Sequence, residues 1–265
     1  MMSMTFALGI PLILGWLSGW VVNYLADVLP RTRRLSARVC SKCDHPYPLL
    51  AYLAFGACPN CGHVRGARPW LVQVTMLAAS LYAWLNPHRM GYWLGILLLT
   101  YFLLVIVIDL EHRLILHPTS VVGAFIAFGI GLWLHGLKDT LLGGLGGFAI
   151  MFALYYLGVL FSKYRARRMR AAGVEADEEE ALGAGDVILA TILGLVLGWP
   201  LIWFGLLLGI LLGGIVGILL LVTMLVRGHY GKQALMVFMP YGPYFILSAF
   251  FILFLPNWIV SVTSR

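Results

Sequence analysis

Gly183-Ala184-Gly185-Asp186-Val187-Ile188-Leu189-Ala190-Thr191-Ile192-Leu193-Gly194-Leu195-Val196-Leu197-Gly198 puts one carboxylate at the mouth of an otherwise uncharged apolar run. An ionised Asp at the edge of a lipid-compatible helix costs several kcal/mol unless it is paired or used. Gly183 and Gly185 leave no side chains on the approach, so a second backbone can come close. A second carboxylate, Asp109, ends another apolar run in the same manner. The question posed by this stretch is whether the chain is a membrane protein whose two boundary aspartates work as a pair.

The composition answers the first half. Of 265 residues, 61% are hydrophobic and 11% charged, against roughly a quarter charged in soluble domains. This excludes a soluble globule and predicts an all-α polytopic membrane protein. The formal net charge of +7 does not signal nucleic-acid binding, because the basic residues sit in loops between apolar runs, as the positive-inside rule expects.

Runs long enough to cross a bilayer number about eight: 6–29, 70–86, 92–109, 119–135, 141–161, 186–199, 200–225 and 241–259. Trp199-Pro200 reads as a tight turn between the sixth and the seventh. With the N-terminus outside, the cytoplasmic loops gather fifteen of the eighteen basic residues, leaving out Arg89, Lys138 and Arg265. Asp109 and Asp186 then fall at the same cytoplasmic depth, although the spans are placed without them. The first run has no Lys or Arg before Arg31, is too long for a signal-peptide core and lacks a small-x-small site, so a retained helix is expected.

The expected organisation is a first transmembrane helix (1–29), a cytoplasmic loop (30–69) and a seven-helix core (70–265). Within the core, the loop 162–185 passes from basic (Lys163 to Arg170) to acidic (Glu175 to Glu180) before the glycines. It reads as a solvated linker whose basic half touches anionic lipid.

Cys40-x-x-Cys43 and Cys58-x-x-Cys61 lie in the 30–69 loop with fourteen residues between the pairs. Four thiolates at this spacing match a closed tetrahedral zinc site. A reducing cytoplasm disfavours disulfides. Such a shell has no open position, so its role is folding rather than catalysis; His45 and His63 read as surface residues.

Other acidic residues at span boundaries have simpler readings. Asp27 is expected to pair with Arg31 and Arg33, and Glu111 with His112 and Arg113. Asp109 and Asp186 could each be an interfacial charge or, for Asp186, a helix cap. As a pair they fit peptide hydrolysis, since neighbouring carboxylates share a proton and can act as acid and base. Pro240-Tyr241-Gly242-Pro243 reads either as a helix-entry turn or as a backbone site for an extended substrate.

Taken together, the motifs resemble the type IV prepilin leader peptidase and N-methyltransferase family. The resemblance spans Gly19…Asn23…Leu29-Pro30, the two C-x-x-C pairs, Asp109-Leu110-Glu111-His112, Gly183-Ala184-Gly185-Asp186-Val187 and Pro240-Tyr241-Gly242-Pro243. It implies an aspartic endopeptidase of the inner membrane, with Asp109 and Asp186 catalytic. Gly183, Gly185, Pro240, Gly242 and Pro243 would meet a prepilin or pseudopilin substrate with a short basic leader. It also implies zinc on the four cysteines and S-adenosylmethionine as methyl donor. The chain departs from the family pattern at Ile115-Leu116, Ile188, Val28 and Gln73, none of which is an aspartate. Two other readings stay open: an intramembrane aspartic protease of the presenilin or signal-peptide-peptidase kind, and a non-enzymatic scaffold or ion transporter with a zinc knuckle.

Overall fold

The computed structural model describes residues 2–86, 89–171, 183–226 and 240–255. The acidic run Glu175 to Glu180, Arg227, Lys232 and Arg265 lie outside the described residues. Among the described residues there are eight helices and no strand: α1 (Met2–Thr32), α2 (Leu49–Leu53), α3 (Arg68–Leu85), α4 (Gly91–His112), α5 (His117–Ala171), α6 (Ala184–Leu197), α7 (Leu201–Val226) and α8 (Gly242–Phe254). Four stretches are long and apolar enough to cross a membrane: Leu8–Thr32, Gly91–His112, His117–Arg168 and Leu201–Met224. α6 and α8 are shorter apolar helices.

Large apolar side chains such as Phe125, Trp133, Phe161 and Ile218 are exposed, while Asn23, Gln73, Ser80 and Thr140 are buried. That distribution suits lipid as the surrounding solvent, where an outward polar group is the expensive one.

The chain divides into two compact units, Met1–Val122 and Gly123–Arg265. In the first, α1, α3 and α4 pack on one another around Val22, Ala26, Leu29, Val72, Leu104, Val107, Ile108 and Leu116. α1 and α3 touch closely because Gly19 faces Gln73; a Cβ at Gly19 would collide with the Gln73 side chain. Gln73 Nε2 donates to the Trp16 carbonyl at 2.8 Å and Asn23 Nδ2 to that of Pro69 at 3.2 Å. Polar contacts of this kind fasten helices where lipid removes the hydrophobic drive between them.

In the second unit, α5 is not one rod. Gly136 has φ 78 and ψ 175, a conformation open only to glycine, and it breaks the helix between the fourth and fifth apolar runs. Beyond the break, Gly143 and Gly147 lie against the backbone of Gly194 and Ala190 in α6, where any Cβ would strike a carbonyl oxygen. α6, α7 and α8 pack together, and Ser248 Oγ donates to the Gly205 carbonyl at 2.7 Å. Trp199-Pro200 is indeed a turn between α6 and α7, with a cis peptide bond.

One expectation is corrected here. The basic stretch beginning at Lys163 is not a linker but the last turns of α5, which continues to Ala171. Lys, Arg, Ala and Met are all good helix formers and no Pro or Gly interrupts them.

Candidate active site and metal centre

The four cysteines converge. Their sulfur atoms all lie within 4.8 Å of one another, with Cys40 to Cys61 and Cys43 to Cys58 each 3.7 Å apart. Zinc–thiolate bonds of about 2.3 Å in a tetrahedron give edges of about 3.8 Å, so this donor set fits a four-sulfur zinc ion.

Two matching turns build the set. The Cys40 N–H donates to the His45 carbonyl and the Cys58 N–H to that of His63, both at 2.9 Å. The Asp44 N–H returns to the Cys40 carbonyl at 3.0 Å and the Gly62 N–H to that of Cys58 at 2.9 Å. Asp44 and Gly62 both take positive φ, 53 and 68. The turns are therefore copies eighteen positions apart, Cys40-Ser41-Lys42-Cys43-Asp44-His45 and Cys58-Pro59-Asn60-Cys61-Gly62-His63. That hexapeptide repeat is a signal the sequence reading passed over. The Lys42 N–H points at the Cys40 sulfur at 3.5 Å and helps bring its thiol down to about 7, toward the thiolate a metal takes.

The cysteine module packs Tyr47 and Tyr52 against Cys40 and Cys58 and is tied to α1 through Asp27. Tyr52 donates its hydroxyl to Asp27, and Arg65 and Arg68 both ion-pair with it. Burial, then the Asp27 carboxylate, push the Tyr52 phenol well above its ordinary range, so it stays a donor. The Arg65 guanidinium stacks 3.9 Å over the Tyr52 ring. The expected partners Arg31 and Arg33 are thus replaced by Arg65 and Arg68. The reason is folding back of the loop: Arg31 reaches Asp44 instead, at 3.8 Å, and Arg33 has left the helix with φ 53. Glu111 is likewise held by Arg68 at 2.9 Å, with His112 at 4.0 Å. Arg113 is the left-handed cap that ends α4.

Asp109 occupies the last turn of α4, beside Ile108 of the core, and is buried. Its carbonyl accepts the Arg113 N–H at 2.8 Å, which closes the helix end. Asp186 occupies the first turn of α6, with Gly183 as an extended N-cap of φ −80 and ψ 143. Its N–H bonds the Gly183 carbonyl at 3.0 Å. It is partly exposed, and a carboxylate in a first turn complements the helix dipole. Among the described residues a Cβ at Gly183 would make only ordinary contacts, with Asp186 Oδ2 at 3.8 Å and the Gly185 nitrogen at 3.9 Å. Asp109 belongs to the first unit and Asp186 to the second.

Pro240-Tyr241-Gly242-Pro243 is the entry turn of α8. The Tyr241 carbonyl accepts N–H groups from Tyr244 at 3.0 Å and Phe245 at 3.2 Å, and Pro243 stands in the first turn, where its missing N–H costs nothing. Gly242 is buried there, while Tyr241 lies against Gly213 of α7.

Residues 96–218 match the model of the type IV leader peptidase family. Comparison with curated proteins and with solved structures gave no match. The matched stretch leaves out the cysteine module and the Pro240 turn, and includes α4 from Ile96, both aspartates and the glycine loop. Over these residues the chain is similar to the type IV leader peptidase family.

Proposed function

We propose that the chain is a membrane aspartic endopeptidase that removes the short basic leader of type IV prepilins or pseudopilins at the cytoplasmic face of the inner membrane. The observation that carries this reading is the family match over 96–218 with Asp109 and Asp186 both inside it. Their positions support it: each stands at the edge of an apolar helix, where the leader of a membrane-anchored substrate would emerge.

In this reading the two carboxyl groups act as one titrating pair. The ionised member takes a proton from water as the water oxygen bonds to the scissile carbonyl carbon. The protonated member gives its proton to the carbonyl oxygen. Collapse of the tetrahedral species breaks the C–N bond: the departing amine collects the proton taken from water, and a hydroxyl of the diol returns its proton to the second carboxylate as the C=O re-forms, which restores the pair. Gly183 and Gly185 give the substrate strand room beside Asp186, and Pro240, Gly242 and Pro243 shape the second wall. Eight spans with the N-terminus outside, divided as 1–29, 30–69 and 70–265, bring both aspartates to the cytoplasmic side.

Zinc held by Cys40, Cys43, Cys58 and Cys61 supplies rigidity to the module and no catalytic position. N-methylation of the new N-terminus from S-adenosylmethionine rests on the resemblance alone; processed pilin that is cleaved but unmethylated by mass spectrometry would remove it.

Co-expression with a candidate prepilin tests the peptidase. Leader loss with wild type, and none with Asp109→Asn or Asp186→Asn at equal protein levels, is the expected result. Absence of cleavage by folded, zinc-loaded protein on every prepilin would leave the scaffold or transporter reading.

A further inference from the structure

The polar contacts of the first unit form a chain with a direction. Tyr52 and Arg65, both from the cysteine loop, hold Asp27 of α1. Asp27 holds Arg68 at the start of α3, and Arg68 holds Glu111 at 2.9 Å. Glu111 is two residues past Asp109 in the last turn of α4. The apolar side of that turn is fastened by Ile108 and Val107 in the core, but its polar side is fastened by Arg68. Arg68 and Asp27 are mostly shielded, with side-chain exposures of 21% and 26%, and Glu111 is 35% exposed. A guanidinium suits this position because its rigid fork serves two carboxylates at once, which a lysine point charge does not.

We propose that Arg68 is a positioning residue, clamping the C-terminal turn of α4 to the cysteine module through the Tyr52–Asp27–Arg68–Glu111 contacts. The clamp itself is a property of the first unit; its effect on catalysis rests on the reading of Asp109 given above. The contacts are asymmetric. Without Arg68, Asp27 keeps Arg65 at 3.5 Å and Tyr52, whereas among the described residues Glu111 keeps only His112 at 4.0 Å. Loss of Arg68 therefore loosens the α4 turn and spares the module.

Hydrogen exchange on purified, zinc-loaded protein in detergent or nanodiscs reads this directly. In Arg68→Gln, the amides of 109–113, reported by the Arg113 N–H, exchange about tenfold faster than in wild type, while zinc content and exchange across 40–63 stay unchanged. Arg68→Lys restores part of the protection. Glu111→Gln, which leaves the Arg68–Asp27 pair in place, gives the same local rise and serves if Arg68→Gln fails to accumulate. On a prepilin substrate, kcat falls about tenfold or more in Arg68→Gln with KM near wild type, as expected when a reacting group is misplaced. Wild-type exchange at 109–113 in Arg68→Gln, or in Glu111→Gln should the first fail, overturns the clamp. Faster exchange in a protein whose wild type cleaves no prepilin keeps the clamp and removes the peptidase reading instead.

Discussion

The two aspartates sit at opposite kinds of helix end. Asp109 closes α4: it is buried, its turn is capped by a left-handed Arg113, and its neighbour Glu111 is gripped by Arg68. Asp186 opens α6 behind an extended glycine, Gly183, where among the described residues a Cβ would make only ordinary contacts. One end is held and the other is left accessible. A peptidase for a membrane-anchored strand needs both properties, a fixed acid–base group and an approach through which backbone can enter. The contrast teaches that a boundary Asp is made useful in two ways, by fastening what surrounds it or by clearing it.

The largest break in that contrast is chemical. Asp109→Asn and Asp186→Asn each remove one member of the proposed acid–base pair and are expected to lower processing by about 10²–10⁴-fold or beyond detection, with unchanged accumulation on immunoblots. If only one of them matters, the two ends are not partners.

Removing the metal tests the held end. If the four sulfurs hold zinc, Cys40→Ser, Cys58→Ser or a strong chelator breaks the shell and removes folding energy, which for structural zinc is roughly 10–16 kcal/mol in small sites. The 30–69 segment then becomes sensitive to limited proteolysis, and the helices of the second unit keep their circular dichroism.

Two glycines sharpen the accessible end. Gly194→Ala forces a methyl group onto the Gly143 carbonyl and should cost about 1–3 kcal/mol, read as a lowered Tm in detergent. Gly183→Ala meets nothing closer than 3.8 Å among the described residues, so stability stays within about 0.5 kcal/mol of wild type while KM for prepilin rises. A normal KM in Gly183→Leu would mean that no strand passes there.

The smallest effect is expected at Gln73. Gln73→Ala deletes its 2.8 Å bond to the Trp16 carbonyl and should destabilise the α1–α3 contact by about 0.6–2 kcal/mol, measured by thermal unfolding.

Much of this was legible along the chain. Helix class, the four membrane-length apolar stretches, the Trp199-Pro200 turn and the clustering of the cysteines follow from composition and spacing, because hydrophobicity and ligand type are local properties. The C-x-x-C spacing already contained the two copied turns, visible once Asp44-His45 is set beside Gly62-His63. Misread features were those whose partners are remote. Asp27 was matched to its sequence neighbours Arg31 and Arg33, yet Arg65 and Arg68 hold it from thirty-eight and forty-one positions away. Glu111 does have the expected His112 at 4.0 Å, but its nearer charge, Arg68 at 2.9 Å, comes from forty-three positions back.

By itself, then, the sequence determined that this is a helical membrane chain with a four-thiolate cluster and two boundary aspartates, since each of these follows from residue chemistry and short spacing. Only the tertiary structure decided which charges meet, that α5 breaks at Gly136 and runs on through Lys163, and that Gly194 is jammed while, among the described residues, Gly183 has room for a Cβ. Those outcomes depend on which surfaces pack together, and a charge or a glycine has no meaning of that kind until its neighbours in space are fixed.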